Sequence, residues 1–221
     1  LGVRENLQQV QERINAAAAR AGRDPAQIKI IAVTKQVQVP EIKEVVDAGI
    51  VDLGENRVRE MTGKMTELPP EVRWHMIGHL QTNKVKYIMG RVELIHSLDR
   101  WNLAEEIDRR AGKLGVKMPV LVQVNTSGEK SKFGLSSGEL PDFLAALADL
   151  PNVAVKGLMT IAPYVDNPEE VRPFFRELRL LAQKFNLKHL SMGMTNDFEV
   201  AVEEGADMLR LGTVLFGSRI Y

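Results

Sequence analysis

Eight short apolar runs, each separated from the next by a stretch of helical periodicity, recur along this chain, and that alternation restricts its fold more than any other feature. The runs fall at 30–33, 50–56, 74–78, 93–98, 119–125, 153–161, 189–194 and 208–216. Helical patterns fill the gaps at 40–48, 57–67, 81–89, 101–113, 137–150, 168–185 and 198–204, and one further helix precedes the first strand and ends near Gly22. Pro40 opens the second helix and Gly49 closes it, while Pro141 falls in the first turn of its helix, where a missing N–H costs nothing. Eight strands with seven intervening helices fit a closed (β/α)8 TIM barrel, expected as a single domain over residues 1–221 with an extra N-terminal helix. A doubly wound open sheet is the alternative, but neither GxGxxG nor GxxxxGK[ST] occurs.

At 221 residues and 44% hydrophobic the chain can bury one large core. Lys plus Arg and Asp plus Glu both number 29, so no basic field is available to hold nucleic acid or an anionic membrane. The absence of cysteine removes disulfides and thiolate metal sites. With a charged, helical N-terminus and no apolar run of spanning length, a soluble cytoplasmic protein is expected.

A barrel places chemistry at the carboxyl ends of its strands. Those ends carry Lys35, Asn56, Gly78, Ser97, Asn125, Thr160, Ser191 with Thr195, and Gly212 with Thr213. Lys35 is either a lysine in solvent where a strand has ended or an amine placed for chemistry, since a charged amine beside a buried strand costs desolvation energy. The segments SMGMTND and RLGTVLFG after strands seven and eight are small, hydroxylated or glycine, as close approach of backbone amides to a phosphate requires. In MLRLG, alternation puts Met208, Arg210 and Gly212 on one face and Leu209 and Leu211 on the other, so Arg210 points into the barrel. There it needs an acceptor, either a buried carboxylate or a ligand. A lysine for an aldehyde, a phosphate cradle and an inward arginine together point to pyridoxal 5'-phosphate (PLP) held as a Schiff base.

The segments AVTK (32–35), GEN (54–56), WHMIGHLQTNK (74–84), VNTSGEKSKFG (124–134), LSMGMTND (190–197) and LRLGTVLFG (209–217) resemble the YggS/PROSC family of pyridoxal phosphate homeostasis proteins. The resemblance spans nearly the whole chain. It implies a barrel like the N-terminal domain of alanine racemase, with Lys35 as the cofactor lysine and Arg210 near the pyridine nitrogen. It places Ser191, Thr195, Gly212 and Thr213 about the phosphate, with Asn56 in the same pocket.

Other features have plainer readings. His75 and His79 lie four apart, but on a strand and without the carboxylate of HExxH, so no metal is expected. His96 and His189 are expected to cap or pack strands. Lys130 and Lys132, in the long loop after strand five, are either solvated or near the cofactor.

An arginine only donates, so a pyridine nitrogen facing Arg210 stays unprotonated and the ring is a weaker electron sink. A racemase also needs a second base on the opposite face, which two-domain racemases take from another domain, whereas this sequence stops at Tyr221. The expectation is therefore a monomeric PLP carrier or buffer, without catalytic residues, that serves vitamin B6 homeostasis with PLP-dependent apo-enzymes as possible recipients. A PLP-dependent amino-acid racemase is the first alternative, and an aldolase using Lys35 directly the second.

Overall fold

The computed structural model describes residues 2–217 and contains a closed barrel of eight parallel strands in sequential order, β1 to β8. The strands are β1 Lys29–Val33, β2 Asp52–Glu55, β3 Arg73–Met76, β4 Leu94–Leu98, β5 Met118–Gln123, β6 Val153–Met159, β7 His189–Ser191 and β8 Met208–Leu211. The barrel shuts where β8 pairs with β1, Ile31 lying opposite Arg210 and Ala32 opposite Leu211. The eight helices expected from periodicity are present as α1 Val3–Arg20, α2 Val39–Asp47, α3 Val58–Lys64, α4 Val85–Ile88, α5 Trp101–Leu114, α6 Leu140–Leu147, α7 Arg172–Lys184 and α8 Phe198–Glu203. None of the described helices is long and apolar enough to cross a membrane. Tyr221, the end of the expected domain, lies outside the described residues.

Most elements are shorter than expected, β7 ending at Ser191 rather than 194 and α7 starting at Arg172 rather than 168 among them, and two of the boundaries have clear local reasons. Helix α6 starts at Leu140 rather than 137, because Pro141 is confined to the first turn. The eighth strand stops at Leu211: Gly212 leaves extended geometry at φ −119°, ψ −84°, and Thr213–Phe216 forms a helical turn, α9. Apolar residues at 214–216 read as strand by composition, yet a barrel strand must turn outward once it clears the rim.

Alternation sorts the side chains into two cores. Leu209 and Leu211 join the outer core between strands and helices, together with Ile30, Ala32 and Leu53. Ile31, Leu94, Leu121, Met159 and Met208 fill the barrel interior. Gly54 and Gly157 are where that interior is tightest; a Cβ on Gly157 would stand 2.0 Å from the backbone oxygen of His189. Helix α1 closes the side where α8 and α9 are too short to cover the strands. Its buried stripe of Val10, Ile14, Ala17 and Ala18 packs there, with Asn6 donating to the carbonyl of Leu215 and Arg23 to those of Val202 and Ala206.

Candidate functional site

A cavity of about 790 Å³ opens at the carboxyl ends of the strands. Asn56, Thr195, Arg210, Gly212 and Thr213 line it, alongside Val33, Gly78, Gln123, Lys132, Phe133, Tyr164 and Asp197. Of the residues expected in the site, five thus line one cavity, and two, Lys35 and Ser191, do not.

Lys35 lies just past β1, in a turn in which the Val37 amide donates to the Thr34 carbonyl at 2.9 Å. Gln36 follows at φ +58°, a conformation that costs a residue with a Cβ on the order of 1–2 kcal/mol. Its amide donates to Glu60 at 3.0 Å, which offsets part of that cost. Beneath the turn Glu55 is fully buried and accepts from Thr34 Oγ1 at 2.8 Å and Lys64 Nζ at 2.6 Å, while Lys64 also donates to the Thr34 carbonyl at 2.7 Å. Lys35 itself is half-buried and has no hydrogen-bond or ion-pair partner among the described residues. It is two residues from Val33 on the cavity wall, and its four-carbon stem leaves the amine free to swing.

Arg210 forms the floor. It is buried, with Met208 below it on the inner face of β8, as alternation requires. The alternative of a carboxylate partner is not what the structure contains: Arg210 donates to Ser191 Oγ at 2.7 Å and to the Thr160 carbonyl at 2.8 Å. Its remaining N–H groups have no protein partner among the described residues. Desolvation pulls the guanidinium down to about 10, opposed by the charge of Asp197, so it is still a cation at neutral pH. Burial in turn pushes the Asp197 carboxyl up, against the Met194 amide that donates to it and the charge of Arg210.

The rim over β7 and β8 is built of small groups. Thr195 Oγ1 accepts from the Val214 amide at 3.3 Å, tying the loop after β7 to the turn after β8. Gly78, on the β3 side, touches the backbone of Asn56 so closely that a Cβ there would be 2.4 Å from the Asn56 oxygen. Only a glycine lets the β3 end pass this close to the Asn56 backbone. Above the rim, His79 stacks on Phe133 with ring centroids 4.0 Å apart, and Lys132 donates to the Ala162 carbonyl at 2.8 Å. Lys132 therefore faces the cavity, whereas Lys130 is exposed and does not line it.

Ser191 requires a correction. It is fully buried, and its hydroxyl is engaged below the floor by Arg210 and by His96 Nδ1 at 2.8 Å, so it does not reach the rim with Thr195, Gly212 and Thr213. The residue ends β7 on its inner face, one layer deeper than the phosphate-cradle reading needs. His96 packs inside the barrel, its ring between His75 and Ser191, rather than capping a strand end, which is one of the two roles expected of it. His189 pairs with Asp207. His75 and His79 do not converge, since His75 bonds Asp52 within the barrel while His79 stands at the mouth.

Residues missed by sequence reasoning are mostly polar groups on inward positions: Asp52, His75, His96 and Gln123, together with the Glu55–Lys64 pair. A signal existed in part, because the alternation that turned Arg210 inward also puts Leu94 and His96 on one face of β4.

The cavity's donor set fits PLP. A buried cation and a lysine beside the wall, the one without a carboxylate partner and the other without any partner among the described residues, with two hydroxyl residues and a glycine at the rim, match a ring nitrogen, an aldehyde and a phosphate.

Comparison with known proteins agrees with the geometry. The family model for the alanine racemase N-terminal domain matches residues 6–220. The pyridoxal phosphate homeostasis protein of Aquifex aeolicus is 50% identical over 98% of both chains, and that of Pseudomonas aeruginosa is 39% identical over 99% of this chain and 96% of its own. The PipY protein of Synechococcus elongatus, solved with PLP bound, superposes with a TM-score of 0.85 at 35% identity, covering 97% of this chain and all 100% of that one. Alanine racemase from Bartonella henselae shares the fold alone, with a TM-score of 0.73 at 16% identity over 99% of this chain and 60% of that enzyme. The barrel, its inward arginine and these likenesses place the chain in the alanine racemase N-terminal domain family, among the pyridoxal phosphate homeostasis proteins.

Proposed function

We propose that this protein binds PLP at the barrel mouth and carries or buffers it for vitamin B6 homeostasis, without catalytic turnover. The observation that carries the reading is Arg210, a buried cation aimed into the cavity and anchored by two neutral acceptors rather than a carboxylate. PLP binding to the related PipY chain supports it.

Each residue has a part. When bound, PLP supplies an aldehyde that a primary amine can take up reversibly, and Lys35 is the amine beside the cavity. Thr195, Gly212 and Thr213 hold the phosphate, Asn56 bounds the ring on the opposite wall, and Arg210 donates to the ring nitrogen. Because a guanidinium has no acceptor and keeps its proton, that nitrogen stays unprotonated and the ring withdraws electrons weakly. A protein that only stores and releases the cofactor loses nothing by this, whereas removal of a proton from a bound amino acid would be slowed. Recipient apo-enzymes, a cytoplasmic location, a monomeric state and a single folded unit over residues 1–221 belong to the same proposal.

The test is the visible spectrum of protein mixed with PLP, before and after borohydride, with mapping of the modified lysine. A yellow complex fixed at Lys35, reactivation of a PLP-free enzyme, and unchanged chirality of free amino acids are the expected results. Multiple-turnover racemisation of a common amino acid would overturn the carrier reading, and protein that is colourless once free PLP has been removed would overturn PLP binding.

A further inference from the structure

Below Arg210 a line of polar side chains runs the length of the barrel interior. Arg210 donates to Ser191 Oγ at 2.7 Å; Ser191 Oγ is 2.8 Å from His96 Nδ1; His96 Nε2 is 2.9 Å from His75 Nδ1; and His75 Nε2 is 2.9 Å from Asp52 Oδ1. At the far mouth Asp52 accepts from Arg73 at 2.6 and 3.1 Å and from Lys29 at 3.2 Å. All five members of the line are buried, among Ile31, Leu94, Leu121, Met159 and Met208. Two imidazoles and a hydroxyl in such a core give no stability that apolar packing would not give as well, so their presence asks for a role.

The hydrogens in this line can be assigned. Burial alone would raise the Asp52 carboxyl, but hydrogen bonds from His75 and Arg73 and the charge of Lys29 hold it well below the usual carboxylate range, so it only accepts. His75 therefore carries its hydrogen on Nε2. Burial, and after it the positive charges of Arg210 and Lys29, hold the His96 imidazole well below its ordinary value, so the ring is neutral. With the single hydrogen of His75 on Nε2, its Nδ1 accepts from His96 Nε2–H, His96 Nδ1 accepts from Ser191 O–H, and Ser191 accepts from Arg210. Every bond then holds one hydrogen, and all of them point from the cavity floor toward the carboxylate. The polarisation accumulates along the line and makes Ser191 Oγ a stronger acceptor for Arg210 than an isolated hydroxyl would be.

We propose that Ser191, His96, His75 and Asp52 are positioning residues for Arg210, which fix the plane of its guanidinium and set how strongly it donates to the ring nitrogen of PLP. This rests on the PLP reading above. The second anchor, the Thr160 carbonyl, is independent of the line, so cutting the line frees Arg210 to rotate about one point without losing it.

The test uses full-length protein loaded with PLP in four forms: Ser191→Ala, His96→Gln, Asp52→Asn, and His96→Gln in the Ser191→Ala background. Absorption maximum, midpoint of the chromophore's pH titration and rate of PLP loss on dilution are read for each, with thermal unfolding as the control for fold. Ser191→Ala is expected to move the band and to speed PLP loss about tenfold, the effect of one hydrogen bond to a charged group. His96→Gln and Asp52→Asn should move the band and midpoint in the same direction by less, and His96→Gln should add nothing once Ser191 is gone. Wild-type band, midpoint and loss rate in folded, yellow Asp52→Asn and His96→Gln would overturn the proposal alone, as would full additivity in the double variant. If His96→Gln does not fold, Asp52→Asn breaks the same line from the far end, and a wild-type band, midpoint and loss rate there overturn the proposal by themselves. Failure of wild-type protein to form a chromophore with PLP would instead overturn the PLP reading, and this one with it.

Discussion

Lys64 Nζ stands 2.6 Å from the buried Glu55 carboxylate and 2.7 Å from the backbone carbonyl of Thr34, the residue immediately before Lys35. The pair therefore grips the turn that presents the proposed cofactor lysine. Lys64→Met leaves Glu55 buried without its cation, which costs about 3–5 kcal/mol. Denaturant midpoints should fall accordingly, PLP should attach more slowly, and Glu55→Gln added to Lys64→Met should recover part of the stability. Wild-type attachment kinetics in Lys64→Met would separate the pair from the function of the turn.

Lys35→Ala should abolish the yellow complex and leave the fold unchanged, since the side chain is half-buried and makes no hydrogen bond or ion pair among the described residues. The measurements are the visible spectrum and circular dichroism. Borohydride labelling at Lys132, which faces the same cavity, with Lys35 untouched would reassign the amine.

Thr195 and Ser191 should now differ sharply. Thr195→Val removes a rim hydroxyl, and a hydrogen bond to a charged group contributes about 1.5–3 kcal/mol. Its preference for PLP over pyridoxal should thus drop by roughly tenfold to a hundredfold in titrations. Ser191→Ala should leave that ratio unchanged, because Ser191 lies beneath the floor. Equal losses of the ratio in both would bring Ser191 back to the phosphate.

Gly78→Ala tests the opposite wall. Its Cβ would lie 2.4 Å from the Asn56 oxygen and 2.6 Å from the Asn56 Cα, backbone atoms that yield only if the segment moves. A stability loss of roughly 1–3 kcal/mol is expected, with weaker PLP binding as Asn56 is displaced. Unaltered affinity would remove Asn56 from the ring's surroundings.

Asp52 predicts an acid response. Its folded carboxyl titrates below the unfolded one, so the stability it contributes is complete above the unfolded value of about 3.9 and is lost as pH falls through the folded value. Urea unfolding of wild type and Asp52→Asn should differ most near neutrality and converge below about pH 4. A gap independent of pH would mean that Asp52 acts through packing.

The barrel was legible because period is local. Apolar runs alternating with helical stripes, Pro40 and Pro141 at helix starts and Gly115 at a helix end with φ +65° are all written in neighbouring residues. So was the inward face of Arg210, which follows from a period of two and a pair of leucines. Depth was not legible. Ser191 and Thr195 are both hydroxyl residues in one short segment, and only the closed barrel puts the first under Arg210 and the second on the rim. Likewise Asp52, His75, His96 and Ser191 come from four strands, β2, β3, β4 and β7, far apart along the chain, so nothing in their local spacing announces a line. Closure brings inward side chains from different strands within hydrogen-bond distance across the barrel, and the low-polarity interior then obliges each of these groups to find its partner there.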